Sequence, residues 1–197
     1  MIRFKNIIKN TIENSTYCYI ILLLLFILGT VVGSLLINIM TYESSLKLVT
    51  LFSPYVDSEL NGLVFLKKSL IQNYVFIGSS FLLGVLNLGF LTTLLIFLKG
   101  SLLGSTIGFI IKNYRVKGFF VSLFGIYPQY IIYLPCIVTV GVLSILFDTR
   151  TNLISNSKSN WVNINLSDYI VIFIFITFMM TIGVLYEGFI SPFFFKF

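Results

Sequence analysis

The hydrophobic positions of this chain fall into long continuous runs separated by polar segments. The runs cover residues 17–40, 74–111, 118–147 and 169–190. About 20 consecutive apolar residues allow a helix to cross a bilayer, whereas the strands of a membrane β-barrel alternate apolar and polar residues. Because these runs do not alternate, the pattern predicts an all-α integral membrane protein.

The N-terminal part predicts one crossing followed by an exposed segment. Arg3, Lys5 and Lys9 precede the first run, and no convincing cleavage site follows it. We therefore expect an uncleaved transmembrane helix, with residues 1–16 as a basic cytoplasmic segment. Residues 41–73 carry apolar side chains at helical spacing. We expect them to form an outer amphipathic segment, either in the interface or packed over the bundle.

The run from Tyr74 to Lys112 allows two arrangements. Two full spans fit its length, but they place the basic segment 112–117 outside, which the positive-inside rule disfavours. In the other arrangement, Tyr74–Leu86 is a half-length helix that enters and returns, and Leu88–Ile111 crosses to the cytoplasm. We expect the second arrangement because it keeps the basic segment inside.

A second break follows at Pro128. Residues 118–127 are too few to cross a bilayer, and a proline biases the preceding residue away from helical geometry. We therefore expect a second half-length helix there. Residues 128–147 then cross outward, residues 148–168 form an outer loop, and residues 169–190 cross back.

The predicted architecture is a single polytopic membrane domain over residues 1–197, with about four full crossings, two half-length helices and both termini in the cytoplasm. Five or six full spans are the alternative. The composition agrees with a membrane location, since 57% of residues are hydrophobic and only 10% are charged. Soluble domains carry about a quarter charged residues.

The residue inventory argues against catalysis. The chain has no histidine, which excludes a Ser-His-Asp triad and histidine-based metal sites. Cys18 and Cys136 lie in apolar runs, where thiols are usually packed as small hydrophobes. We expect no enzyme activity and no catalytic, cofactor-binding or metal-binding residues. The net charge of +6 indicates contact with anionic lipid rather than nucleic acid, because no basic patch with interleaved aromatic residues is present.

Two features are candidates for helix packing or partner docking. Gly100, Gly104 and Gly108 repeat every fourth residue, so they form a smooth ridge that another backbone can approach closely. That backbone could belong to this chain, to a second copy in a homo-oligomer, or to another protein. The second feature is the stretch from Pro128 to Pro135.

The stretch from Pro128 to Pro135 interrupts the backbone at membrane depth and includes Gln129 and Tyr130. Irregular backbone at that depth must be covered by protein or line a water-filled cavity. It therefore predicts a contact surface, although a simple turn between helices and a transport site are the alternatives.

A candidate intramembrane charge pair completes the set. Lys99 lies within an apolar run, and Glu187 is the one acidic residue of the last run. A charge at this depth is costly unless it is buried or paired. We treat the pairing of Lys99 with Glu187 as a hypothesis.

The segment from Phe97 to Phe147 resembles the stage II sporulation protein M family. In that family a basic residue and a glycine open a Gly-ridged helix, and a Pro-Gln pair, an aliphatic run and a proline follow. Tyr130 stands where the family commonly has a small polar residue. The matching positions are Lys99-Gly100, Gly104, Gly108-Phe109, Gly118, Pro128-Gln129 and Pro135.

The resemblance implies an integral membrane protein of endospore-forming bacteria that acts during engulfment. Its implied role is a non-catalytic scaffold that recruits and localises peptidoglycan hydrolases, the stage II sporulation proteins P and D. It also implies a location in the septal or engulfing membrane of the mother cell. The alternative function is a small transporter or channel built on the two half-length helices.

Overall fold

The computed structural model describes residues 16–52, 62–151 and 166–194. Within these ranges the chain is helical, with short connections and no β-strand. The predicted basic residues before position 16 and most of the 148–168 loop lie outside the described residues. The helices are α1 (Thr16–Ile39), α2 (Tyr42–Phe52), α3 (Gly62–Val85), α4 (Leu91–Gly125), α5 (Tyr127–Thr151), α6 (Leu166–Phe189) and α7 (Ser191–Phe194).

Four helices, α1, α4, α5 and α6, are long and apolar enough to cross a membrane. This confirms the predicted fold class, an all-helical membrane protein with four long apolar spans. Helix α3 has 24 residues, which corresponds to about 36 Å at a rise of about 1.5 Å per residue. It matches the spans in length but is more polar, because it carries Lys67, Lys68 and Asn73.

Helices α1 and α4 run parallel to each other. Gly100 of α4 lies against Phe26 of α1, and Gly104 lies against Thr30. Further along, Nζ of Lys112 donates a hydrogen bond to a carbonyl oxygen in the last turn of α1. Residue numbers therefore rise together along this interface, which is the most extensive helix contact in the described chain.

The remaining long helices alternate in direction. Helix α3 is antiparallel to α6, since Leu66 meets Gly188 near one end and Gly84 meets Tyr169 near the other. Helix α5 is also antiparallel to α6, because Phe147 stacks on Tyr169 with ring centroids 4.5 Å apart. Helix α5 packs against α1, α3, α4 and α6, so it forms the centre of the bundle.

These directions give the bundle two distinct ends. We name the two ends after Gly89 and Gly125. The Gly89 end holds the start of α1, the turn between α3 and α4, and the start of α6. The Gly125 end holds α2, the junction of α4 with α5, and the end of α6. At the Gly125 end, Ser191 bonds the carbonyl of Gly125, and Lys112 bonds the end of α1. At the Gly89 end, a Cβ on Gly89 would meet Ser144 and Asp148.

One of the two predicted half-length helices is present. Helix α4 bends at Arg115, where φ is 49°, a value uncommon for a residue other than glycine. Residues 116–125 then form a short segment that ends before α5 begins. The bend replaces the predicted loop and turns the chain back at the Gly125 end.

The other predicted half-length helix, Tyr74–Leu86, is wrong as a separate element. Helix α3 runs without interruption from Gly62 to Val85, so residues 62–73 of the expected outer segment share one helix with residues 74–85. The polar residues of its first half are accommodated because Ser69 and Asn73 are buried and hydrogen bonded within the bundle.

The two ends of the bundle group the predicted inner and outer segments differently from the expectation. The sequence places residues 41–52 outside and residues 112–117 inside, yet both lie at the Gly125 end because α1 and α4 are parallel. The start of α1 and the end of α6 lie at opposite ends of the bundle. Helix α3 is a fifth long helix that runs between these two ends, and the location of both termini in the cytoplasm stays a prediction.

Candidate functional site

The glycine ridge of α4 packs on α1 of the same chain. A Cβ on Gly100 would overlap the carbonyl oxygen of Phe26, and a Cβ on Gly104 would overlap that of Thr30. Gly108 is less tightly enclosed, since the nearest atom to its Cβ position lies 3.2 Å away. Two glycines of α1 approach α4 equally closely. The ridge therefore serves intramolecular helix packing.

Lys112 closes the far end of the same interface. Its Nζ donates to the carbonyl oxygens of Ile37 at 2.9 Å and Met40 at 3.1 Å. The last carbonyls of a helix lack intrahelical donors, and a cation there also interacts favourably with the helix dipole. Lys112 therefore fixes the end of α1, a role that the sequence analysis missed because it read this residue only as a marker of sidedness.

The break between α4 and α5 is covered by the junction of α6 with α7. Ser191 Oγ donates to the carbonyl oxygen of Gly125 at 2.6 Å and lies 3.2 Å from the side-chain oxygen of Gln129. Gln129 is fully buried. Pro128 lies in the first turn of α5, where its missing N–H removes no helical hydrogen bond. The irregular backbone is thus shielded by protein, and Gln129 is held inside the bundle.

An apolar cleft, the α1–α5 cleft, opens beside this break. It has a volume of about 360 Å³ and is lined by side chains of α1, α4 and α5, including Phe26, Tyr130 and Pro135. Ile131 stands on its rim with 76% of its surface exposed. Of the predicted contact residues, Tyr130 and Pro135 therefore reach this cleft, and Gln129 does not line it.

A chain of buried hydrogen bonds connects α3, α5 and α6. Glu187 accepts hydrogen bonds from Ser69 Oγ and from Tyr133 OH, the latter at 2.7 Å. Asn73 Nδ2 donates to the carbonyl oxygen of Ser69 at 3.1 Å. All four side chains are buried, and each takes part in a hydrogen bond, as buried polar groups in proteins usually do.

Lys99 joins this network from α4. Its Nζ donates to Asn73 Oδ1 at 3.0 Å and lies 5.9 Å from the ring centroid of Phe76. Asn73 and Ser69 thus connect Lys99 to Glu187 through described hydrogen bonds, and the two opposite charges also attract each other. Lys99 and Glu187 are therefore linked indirectly through Asn73 and Ser69, and a direct pair stays a hypothesis.

A second opening, the α3–α4 cleft, lies over this network. It has a volume of about 450 Å³. Its walls are apolar and include Val75 and Leu98, both exposed at the rim, while Lys99, Asn73 and Glu187 line its interior. Helices α3 and α4 make few contacts with each other, which leaves the cleft open on the outer surface of the bundle.

Sequence reasoning found the charged ends of the network but missed its connecting residues. Ser69 and Asn73 are four residues apart and lie on one face of α3. That spacing was visible in the sequence. It was not used because residues 41–73 were assigned to an outer segment that ended at residue 73. Tyr130 lines both clefts, so the wall between them is thin at this position.

Comparison with known proteins identifies the family. The model of the family described as Stage II sporulation protein M matches residues 22–192. The chain belongs to the stage II sporulation protein M family. Neither the curated proteins nor the solved structures gave a match.

The match to the stage II sporulation protein M family covers both clefts, the polar network, most of α1 and the whole of the other four long helices. The chain is thus a sporulation-family protein with four apolar candidate spans, which fits a multi-pass membrane protein. Within the described residues, no group of three or more Cys, Asp and Glu side chains could hold a metal ion. The buried network of α3, α4, α5 and α6 contains a lysine, a carboxylate and neutral donors and acceptors.

Proposed function

We propose that this chain is a non-catalytic membrane scaffold that recruits and localises the hydrolases called stage II sporulation proteins P and D during engulfment. The proposed location is the septal or engulfing membrane of the mother cell. Membership of the stage II sporulation protein M family supports a role in sporulation. The identity of the two hydrolases as partners rests on what the resemblance to that family implies.

The single observation that carries the docking role is the α1–α5 cleft. It is an apolar opening of about 360 Å³ on the outer surface of the bundle. Helices in a bilayer associate through close packing rather than through the hydrophobic effect. A cleft of this kind offers a partner's membrane anchor packing contacts that a smooth, lipid-covered helix surface does not.

The transport alternative predicts that a solute path depends on Gln129 or Lys99. Gln129 is fully buried, lies beside Ser191 and lines neither cleft, which supports docking rather than transport at the break before α5. Lys99 lines the α3–α4 cleft, so transport stays the alternative function, tested by solute flux through proteoliposomes of the purified protein. A second copy of the chain is a further candidate occupant of the α1–α5 cleft, and it would appear as a dimer on purification.

The proposal is tested by co-purification from sporulating cells. Ile131→Trp fills the rim of the α1–α5 cleft, and Ile174→Trp is the matched control, since Ile174 is exposed on α6 and lines neither cleft. We expect the hydrolases to co-purify with the wild type and with the Ile174 variant but not with the Ile131 variant. Absence of both hydrolases from the wild-type preparation, or their retention by the Ile131 variant, would overturn the proposal.

A further inference from the structure

The α3–α4 cleft differs from the α1–α5 cleft because charged residues, Lys99 and Glu187, line it. Lys99 lines its interior, and an ammonium group has three N–H donors. Among the described residues, Asn73 Oδ1 is the acceptor that Lys99 Nζ reaches. The other donors of the ammonium group remain for an acceptor that enters the cleft.

The acidic partner of the network is already engaged by hydroxyl groups. Glu187 accepts from Ser69 and Tyr133 on the far side of Asn73. Glu187 also lines the cleft, but its carboxylate is held by these two hydroxyl groups, whereas the ammonium group of Lys99 keeps donors for a group that enters. This polarity makes the cleft complementary to a carboxylate or another strong hydrogen-bond acceptor.

The depth of Lys99 decides which kind of molecule can supply that acceptor. Lys99 is the ninth residue of α4, which places its Cα about 12 Å from the start of the helix. The hydrocarbon core is about 30 Å thick, so the ammonium group lies well inside it. Lipid phosphates and esters stay at the edges of that core, whereas a transmembrane helix can carry a polar side chain at any depth.

We propose that the α3–α4 cleft binds a transmembrane helix of a partner protein that carries an aspartate or glutamate at the depth of Lys99. The acidic side chain accepts hydrogen bonds from Lys99 Nζ, and the flanking apolar residues pack against Val75 and Leu98 at the rim. This inference deepens the proposed scaffold function and rests on it for its physiological meaning. The binding itself is independent of which partner supplies the helix.

The test uses the purified full-length protein in liposomes with labelled Leu-rich transmembrane peptides. Three peptides differ at one position about 12 Å from one end, carrying Asp, Asn or Leu, and energy transfer reports binding. Polar pairs between membrane helices contribute enough for the Asp peptide to bind about ten-fold more tightly than the Leu peptide. We expect the Asn peptide to lie between them.

Two variants and a control assign the binding to the cleft. Lys99→Met should abolish the preference for Asp over Leu. Because that change also disturbs the buried network, Val75→Trp provides a second variant that blocks the exposed rim and leaves Lys99 in place. Lys117→Met removes a lysine that is exposed outside the cleft and should leave the preference intact.

Equal binding of the three peptides to the wild type would overturn the inference, as would an Asp preference that survives both Lys99→Met and Val75→Trp. Immobilisation of spin-labelled lipid that Val75→Trp abolishes, without peptide binding, would assign the cleft to lipid instead and would also overturn it. Failure of the hydrolases to co-purify would remove the proposed scaffold role but would leave the peptide result unchanged. The two failures are therefore distinguishable.

Discussion

Substitution of Gly104 by alanine tests how closely α1 and α4 approach each other. A Cβ at this position would overlap the carbonyl oxygen of Thr30 and would lie 2.7 Å from its Cα. Both atoms belong to the backbone, so no side-chain rotation relieves the overlap. The two helices must separate.

The expected cost follows from this geometry. Carbon atoms in contact are optimally about 3.5 to 4.0 Å apart, so the helices must move apart by about 1 Å, which forfeits about a quarter to a half of the dispersion energy at each affected contact. Overpacking of this kind costs about 1–3 kcal/mol. The higher helix propensity of alanine returns about 1 kcal/mol, so the net loss is about 0–2 kcal/mol relative to the wild type and about 1–3 kcal/mol relative to an alanine at an uncrowded helical glycine.

Gly78 supplies the matched control, because a Cβ there would meet nothing within 4 Å. Gly78→Ala should therefore keep the gain in helix propensity and be as stable as the wild type or more stable. Gly108→Ala should lie between the two, since its nearest neighbour is 3.2 Å away. The three substitutions have the same chemistry and differ only in the space available.

Thermal unfolding in a mild detergent measures the series. Reactivity of the buried thiol of Cys136 reports loss of the folded state, and circular dichroism reports loss of helix. The expected order of stability is Gly78→Ala, then Gly108→Ala, then Gly104→Ala. Equal stability of the Gly104 and Gly78 variants would refute the close parallel packing of α1 and α4.

Three further outcomes follow from the described contacts. Single cysteines at Ser44 and Lys117, in a background without native cysteines, should react with an impermeant thiol reagent from the same side of the membrane, and labelling from opposite sides would contradict the parallel packing. Tyr133→Phe should lower stability by about 1–2 kcal/mol, because Glu187 loses a donor, whereas Tyr130→Phe, in the same cleft, should cost less in the same unfolding assay. Lys112→Met should raise the rate of backbone amide hydrogen exchange in the last turn of α1, whereas Lys117→Met should not. An unchanged exchange rate in the Lys112 variant would exclude the role of Lys112 in capping the end of α1.

The sequence predicted the helical class and the two features that shape the interior, the ridge at Gly104 and the break before Pro128. Both are local patterns, because glycine spacing and proline geometry act within a few residues. The partner of the ridge could not be predicted, since close approach is required equally by a helix of the same chain and by another molecule.

Sidedness was harder to predict because Lys112 has two physical roles. A lysine at a helix end marks the cytoplasmic face statistically, but here it binds the free carbonyls of α1. Helix α3 was divided for a related reason. Lys67 and Lys68 resemble the edge of an interfacial segment, and the polarity of Asn73 is accommodated only by long-range contacts with α4.

Site-specific photo-crosslinking in sporulating cells tests the docking claim most directly. A photoreactive residue at Ile131, on the rim of the α1–α5 cleft, is compared with the same residue at Ile174 on the outer face of α6. We predict that position 131 crosslinks to the membrane anchor of stage II sporulation protein P or D and that position 174 does not. Crosslinks to lipid alone at position 131, or the same protein adducts at both positions, would contradict a docking role for the cleft.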